Sequence, residues 1–228
     1  MTWLALALAI AVLALVIVLP GLLISWLLGF RGLWLPGLSV AAGVSVISVA
    51  AMVAPMVGLR WGIVPVLIVT ALFAGLCVLL RVLFWRGAGA LSGPRISRAT
   101  VVGVVVAMLV MLAQLLLIIR VPDAISQTFD NTFHLNAIRF AMNTGSASPL
   151  TLGQMSSAYT GGVPFYPSAW HASGSLIVML TGVSIPVASN ALTIFLAISW
   201  PLSIVLLVRA LFGARPALIL GALAVSIA

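Results

Sequence analysis

Long uninterrupted apolar runs, separated by short breaks rich in glycine, proline and arginine, make up most of the chain. A helix needs about 20 predominantly apolar residues to cross the hydrocarbon core of a bilayer. Runs of this length predict spans over about residues 3–28, 38–57, 63–84, 99–119 and 186–208, and a sixth apolar run starts near Pro216. The pattern therefore predicts an all-α, polytopic membrane protein with about six transmembrane helices.

The composition agrees with this class of protein. Hydrophobic residues make up 64% of the chain and charged residues 5%, whereas about a quarter of the residues in a soluble domain are charged. The net charge of +8 comes from arginines that are scattered between the apolar runs, so we expect them to set topology and expect no nucleic-acid partner. The single cysteine, Cys77, lies within an apolar run and is expected to be a small buried hydrophobe.

Most of the arginines fall in connections that lie on one side of the predicted spans, and the positive-inside rule places that side in the cytoplasm. They are Arg31, Arg81, Arg86, Arg95, Arg98, Arg209 and Arg215. The N-terminus and residues 120–185 would then lie outside the plasma membrane. A predicted helix over 168–182 would reach only about 22 Å, too short to span, so we expect it to be re-entrant or interfacial.

Two segments are expected: residues 1–99, with three spans, and residues 100–228, which contain the outer segment 120–185. Because the sequence stops within an apolar run, we also expect it to be the N-terminal part of a longer protein.

The outer segment holds both acidic residues and both histidines of the chain. Its stretch "FDNTFHLNAIRFAMNTG" predicts a helix that starts near Asp130 and stops at Gly145. Asp130 and His134 are four residues apart and share a face of that helix. At 100° per residue, Arg139 lies on the side opposite Asp130.

A carboxylate one turn away from an imidazole suits several kinds of chemistry. It can support a histidine in general acid–base catalysis, deprotonate an acceptor hydroxyl, or help to bind a divalent metal. The structural alternative for Asp130 and His134 is a helix cap followed by an interfacial histidine. Asp123 predicts an ion pair or cap near Arg120.

A second polar stretch, "YTGGVPFYPSAWH", covers residues 159–171. Its prolines favour extended backbone and its glycines favour tight turns. It predicts either a rigid loop that carries Tyr166 and His171 towards a site at the outer surface or an aromatic anchor at the membrane boundary.

The order of these features resembles the start of the GT-C superfamily of membrane glycosyltransferases over about residues 100–228. The acidic helix "FDNTFHLNAIRFAMNTG" is followed by the turn "FYP", the short helix ending "LTGVS", a span and "RALFG". The resemblance implies that Asp130 is the catalytic base or a ligand of Mg²⁺ or Mn²⁺, with His134 supporting it. Asn131 stands where the superfamily often has a second acid and is placed with the substrate-binding residues.

The favoured hypothesis adds further contacts with the substrates. Tyr166 and His171 would contact the acceptor or a phosphate, and Arg139 or Arg120 would meet the lipid phosphate at the headgroup level. The expected activity is transfer of a sugar from a polyprenyl-phosphate carrier to a cell-envelope acceptor at the outer face.

Two other classes of function stay open from the sequence. One is a transporter or lipid-handling protein, which the prolines within the spans favour. The other is a structural membrane subunit. The whole chain, including "LPGLLISWLLGFRG", also resembles a family of actinobacterial Ala/Leu-rich polytopic membrane proteins, from which no activity is carried over.

Overall fold

A computed structural model describes residues 1–86, 89, 91–92, 97–157, 161–213 and 215–227. Arg95, and Tyr159 and Thr160 at the start of the stretch "YTGGVPFYPSAWH", lie outside the described residues.

Five helices in the described part of the chain are long and apolar enough to cross a membrane. They are α1 (Trp3–Leu27), α2 (Trp34–Val53, continued by a 3₁₀ turn over Ala54–Val57), α3 (Ile63–Phe84), α4 (Arg98–Ile119) and α8 (Ile185–Phe212). The predicted all-α, polytopic class is confirmed, and the five predicted spans match these helices closely.

Shorter helices and one strand pair connect the spans. The helices are α5 (Asn131–Thr144), α6 (Pro149–Leu152, followed by a 3₁₀ turn over Gly153–Ser156), α7 (Ala169–Thr181) and α9 (Pro216–Ser226). The strands β1 (Phe30–Arg31) and β2 (Leu91–Ser92) pair in parallel.

Helices α1 and α2 pack closely because small residues face each other. A side chain on Gly21 would collide with the carbonyl of Ser39, and one on Gly43 would collide with the carbonyl of Ile17. Association of helices in a membrane depends on van der Waals packing, which small residues improve by letting the backbones approach. Gly21 and Gly43 therefore let the backbones of α1 and α2 approach each other.

Contacts between the connecting segments show which ends of the spans lie together. At one end, Arg81 Nη1 donates to the carbonyl of Leu27 at 3.3 Å, and Phe30 pairs with Leu91. At the other end, the amino-terminal nitrogen lies 3.3 Å from a carboxylate oxygen of Asp123. The predicted interaction of Asp123 with Arg120 was therefore wrong, because the amino terminus at the start of α1 reaches the carboxylate of Asp123 instead.

The turn between α2 and α3 joins the same end as the segment 120–185. The backbone N–H of Trp61 donates to the carbonyl of Gly145 at 2.7 Å, and its indole Nε1 donates to Ser175 Oγ at 3.0 Å. The predicted sharing of one side by the N-terminus, this turn and the segment 120–185 agrees with these contacts.

Helix α7 is short, as expected, and is packed among the spans. It contacts α1, α2, α5 and α8, and residues 171–177 are all buried. The segment therefore fixes α5 against the ends of the spans.

Candidate functional site

The two histidines of the chain form a pair between α5 and α7. Nδ1 of His134 lies 2.9 Å from Nε2 of His171, and the two rings are stacked with centroids 5.2 Å apart. Because a neutral imidazole carries one N–H and one lone pair, one ring donates this hydrogen bond and the other accepts it. The second nitrogen of His134, Nε2, is then left for another partner.

The packing of α5 on α7 explains why the rings meet. Ala137, Ile138 and Ala141 form the buried face of α5, and His134 lies one turn before them on that face. Gly174 of α7 lets the side chain of Ile138 approach, because a Cβ at Gly174 would lie 2.7 Å from its terminal methyl group. Small residues at these positions therefore bring the two helices close enough for the histidines to bond.

His171 is held in an apolar and aromatic environment. It is 2% exposed, and the rings of Phe133, Tyr166 and Trp170 surround it with centroids 5.3 to 6.2 Å away. Burial, and next the positive charge of a protonated His134, lower the pKa of His171 from 6.5 to about 4, against a weaker opposing influence of the Pro167 carbonyl. His171 is therefore neutral at pH 7, and its Nδ1 is buried without a hydrogen bond of good geometry.

His134 lines a cavity of about 280 Å³ at the ends of α4 and α8. The wall from α4 is apolar and consists of Leu115, Ile118 and Ile119. Polar groups come from the loop after α4, from α5 and from α8, where they alternate with apolar residues. The polar ones are Ser126, Asn131, His134, Ser189, Asn190 and Thr193, and the apolar ones are Ala124, Ile125, Leu135, Trp170 and Pro186. The cavity therefore combines an apolar wall from a span with a mixed lining from the connecting segments and α8.

A second cavity of about 220 Å³ adjoins the first. The two share Ile125, Ser126, Asn131 and Leu135 as lining residues. The remaining lining of the second cavity is mainly polar: Gln127, Thr128 and Thr132, together with Phe129. We refer to the two adjoining cavities together as the α5 groove.

The side chain of Asn190 forms hydrogen bonds with the loop that borders the groove. Its side-chain nitrogen donates to the carbonyls of Pro122 and Ala124, each at 3.0 Å. The side chain of Asn131 similarly donates to the carbonyl of Ser126 at 2.9 Å. These bonds hold the loop between α4 and α5 against α8.

The predicted site residues fall into two groups around the groove. Asn131 and His134 line it directly. Asp130 occupies the capping position of α5, as expected from the sequence, but its carboxylate makes no capping hydrogen bond and is exposed. It does not line either cavity, although both of its neighbours in the chain, Phe129 and Asn131, do.

The remaining predicted residues lie around the groove rather than in its lining. Arg120 and Arg139 are exposed. Arg120 directly follows two lining residues of α4 and has a φ of 59°, which is uncommon for a residue with a side chain. Tyr166 packs its ring on Phe133 with centroids 4.7 Å apart, and so supports the ring cluster that holds His171.

The donor set does not fit a metal site made of protein ligands alone. In the ranges that the structure describes, no three His, Cys, Asp or Glu side chains come together as metal ligands. One nitrogen of His134 and one of His171 are used in their mutual hydrogen bond. The expected role of Asp130 as a metal ligand therefore stays a prediction.

Sequence reasoning missed Trp170, Ser189, Asn190 and Thr193 as lining residues of the groove. Asn190 offered a usable signal, because an amide within an otherwise apolar membrane-spanning run usually has a specific polar partner.

Comparisons with known proteins identify a family and no activity. Neither the curated proteins nor the solved structures contain a significant match to the chain. One family model, described as "Family of unknown function (DUF6541)", matches residues 14–228. Since this match covers nearly the whole chain, the protein belongs to the DUF6541 family.

Proposed function

We propose that the protein is a membrane glycosyltransferase that takes a sugar from a polyprenyl-phosphate carrier and passes it to a cell-envelope acceptor. The observation that carries this proposal is the α5 groove, whose first cavity has an apolar wall from a span and whose second cavity has a mainly polar lining. A substrate with a hydrocarbon tail and a charged sugar-phosphate head has the same division.

The two ends of the groove suit the two parts of such a carrier. The first units of the polyprenyl tail would lie against Leu115, Ile118 and Ile119, which belong to a span. The phosphate and sugar would lie near Ser126, Gln127 and Thr128, whose hydroxyl and amide groups can donate hydrogen bonds. The rest of the tail would extend into the bilayer.

Asp130 is the proposed base. In the transfer, its carboxylate accepts the proton of the acceptor hydroxyl as the acceptor oxygen bonds to the anomeric carbon of the sugar. The bond between that carbon and the phosphate oxygen breaks, and its electron pair leaves with the polyprenyl phosphate. An exposed carboxylate beside a lining residue, Asn131, is accessible to an acceptor that arrives from the aqueous side.

His134 is the proposed hydrogen-bonding group of the groove. Its Nδ1 is used in the bond with His171, so its Nε2 is the nitrogen that would contact the sugar or phosphate. His171 is too buried to reach a substrate itself and would act by fixing the ring orientation of His134. Tyr166 would act one step further away, by packing against this pair.

The arginines have less direct roles in the proposal. Arg120 follows the apolar wall of the groove, where a lipid phosphate would enter, and a guanidinium can donate two hydrogen bonds to a phosphate. Arg139 is one turn beyond Leu135 on α5 and would contact the carrier or acceptor at the rim. No step is assigned to a metal ion, and the role of Asp130 as a metal ligand stays a prediction.

The proposal also includes the orientation of the protein. Both acidic residues among residues 1–228 lie at the groove end, whereas six arginines of the described residues lie at or beside the opposite ends of the spans: Arg31, Arg81, Arg86, Arg98, Arg209 and Arg215. Under the positive-inside rule, the groove would face the outside of the plasma membrane.

A groove-filling substitution tests the proposal. Leu115→Trp should fill the space beside the apolar wall of the groove. We expect it to lower the binding of undecaprenyl phosphate to the purified protein by about tenfold, which corresponds to about 1.4 kcal/mol of binding free energy. Sugar transfer in proteoliposomes should fall by a similar factor. The matched control is Leu117→Trp, because Leu117 is on the same helix, is 76% exposed and does not line the groove. Equal binding and transfer by the two variants would contradict the proposal.

One observation favours a second candidate, a lipid-handling protein that binds the carrier without chemistry. The carboxylate of Asp130 lies outside the lining of both cavities. In that case Leu115→Trp would still weaken binding of the carrier, but no sugar transfer would be found for the wild-type protein.

A further inference from the structure

Another cavity lies at the end of the spans opposite the groove. It has a volume of about 400 Å³ and lies between the C-terminal ends of α1 and α3. Its lining is mainly apolar, with Leu28, Phe30, Trp85 and Leu91, and it contains one cationic side chain, Arg81. We refer to it as the Arg81 cavity.

Two guanidinium groups gather beside this cavity. Arg81 Nη1 donates to the carbonyl of Leu27 at 3.3 Å. Arg31 Nη1 donates to the carbonyls of Trp26 and Phe30, each at 2.7 Å, and its guanidinium lies 4.9 Å from the centre of the Trp26 ring. The carbonyls at the end of α1 provide about half a negative charge, which does not balance two cations.

Neither carboxylate side chain of residues 1–228 lies near them. The two belong to Asp123 and Asp130. Asp123 binds the amino terminus at the other end of α1, roughly 37 Å away along a helix of 25 residues. Asp130 starts α5 at the same distant end. No carboxylate of residues 1–228 therefore reaches Arg81 or Arg31, and the headgroup of a bilayer lipid is an anion that can.

We propose that the Arg81 cavity binds an anionic phospholipid of the bilayer. The phosphate oxygens accept charge-assisted hydrogen bonds from the guanidinium of Arg81. An acyl chain lies against Leu28, Phe30 and Leu91. Trp85, which is 48% exposed, contributes an amphipathic ring at the headgroup level, where tryptophan is enriched in membrane proteins.

The same charges select the class of lipid. A zwitterionic phospholipid carries an ammonium group next to its phosphate, and that cation would lie beside two arginines with no carboxylate to bind it. A free phosphate would leave the apolar lining without a partner. A phospholipid with net negative charge satisfies both the arginines and the lining, and juxtamembrane basic sites favour such lipids.

Native mass spectrometry of the whole protein in detergent tests this site. We expect wild-type protein to retain phosphatidylglycerol in preference to phosphatidylcholine, and Arg81→Gln to lower phosphatidylglycerol binding by about fivefold. The matched control is Arg86→Gln, which removes the same charge from an exposed side chain that does not line the cavity. We expect that variant to stay within about twofold of wild type.

Several results would overturn the proposal. Equal losses in Arg81→Gln and Arg86→Gln would mean that the charges act diffusely, and equal retention of the two lipids would mean that the headgroup is not recognised. If inorganic phosphate raised the thermal stability of the wild-type protein as much as phosphatidylglycerol does, the acyl chain would have no role.

Two further variants keep the test decisive if Arg81→Gln does not fold. Arg81→Lys retains the charge and should retain the preference for phosphatidylglycerol. Leu91→Trp fills the cavity from an exposed position and should lose it. Wild-type lipid binding by both variants would refute the site. None of these outcomes depends on the glycosyltransferase proposal, because the cavity lies at the other end of the spans.

Discussion

The pair of histidines predicts a specific dependence of stability on pH. His171 has a pKa lowered from 6.5 to about 4 in the folded protein, chiefly because it is buried. In the unfolded chain the same side chain would titrate near 6.5. The unfolded state therefore binds more protons between these two pKa values, and the folded state loses stability as the pH falls through that interval.

The size of the effect follows from the same interval. The difference between an ordinary pKa of 6.5 and a folded-state pKa of about 4 corresponds to about 3 kcal/mol, at about 1.4 kcal/mol per pH unit. We expect the free energy of unfolding to be constant above about pH 7 and to fall by up to this amount by about pH 4. The chain has no histidine besides His134 and His171, so the two variants described next separate their contributions.

Denaturant unfolding in detergent, followed by tryptophan fluorescence from about pH 7 to about pH 4.5, measures this dependence. His171→Phe should remove most of the pH dependence of the free energy of unfolding, since phenylalanine fills the aromatic site and does not titrate. His134→Phe is the matched comparison and should retain most of it, since burial of His171 is the larger cause. A flat wild-type profile, or an unchanged slope in His171→Phe, would refute the reasoning.

Two further predictions concern packing. Asn190→Leu removes two hydrogen bonds to the loop after α4, so trypsin should cleave the chain after Arg120 several times faster. The control Thr193→Val alters only a hydrogen bond within α8 and should leave the rate of cleavage unchanged. Gly43→Ala places a methyl group against a carbonyl of α1 and should lower stability to thermal unfolding by about 1–3 kcal/mol. Gly75→Ala, which meets no atom within 4 Å, should leave it nearly unchanged, and equal effects of the two would contradict the packing described.

The spans could be predicted from the sequence because the hydrophobic pattern is local. Each apolar run is bounded by glycine, proline or arginine, and the helices end within a few residues of those breaks. Helix α5 could be predicted for a similar reason, since Gly145 has a φ of 65° and stops the helix as expected.

The candidate site could be predicted only in part. The sequence placed His134 on the same face as Asp130, but the residue that bonds to His134 is His171, which is 37 positions away along the chain. This contact depends on how α5 packs on α7, and the pattern of residues within either helix does not predict it. The same is true of Asn190, which reaches back to a loop 66 and 68 positions earlier.

The partner of Asp123 shows another limit of local reasoning. Arg120 is three residues away, and its charge made it the expected partner. The carboxylate instead meets the amino terminus, which the packing of α1 brings to the same end of the bundle.

The most direct test of the proposed function compares sugar transfer by the Asp130→Asn variant with sugar transfer by the wild-type protein. Transfer is measured as envelope glycan formed in cells and as labelled sugar transferred in proteoliposomes. Asp123→Asn is the matched control, because it makes the same change at the other acidic residue of the chain, which pairs with the amino terminus. The proposal predicts that Asp130→Asn loses transfer by at least about a hundredfold, a typical contribution of a general base, while Asp123→Asn keeps it. Unchanged transfer in Asp130→Asn, or an equal loss in both variants, would contradict it.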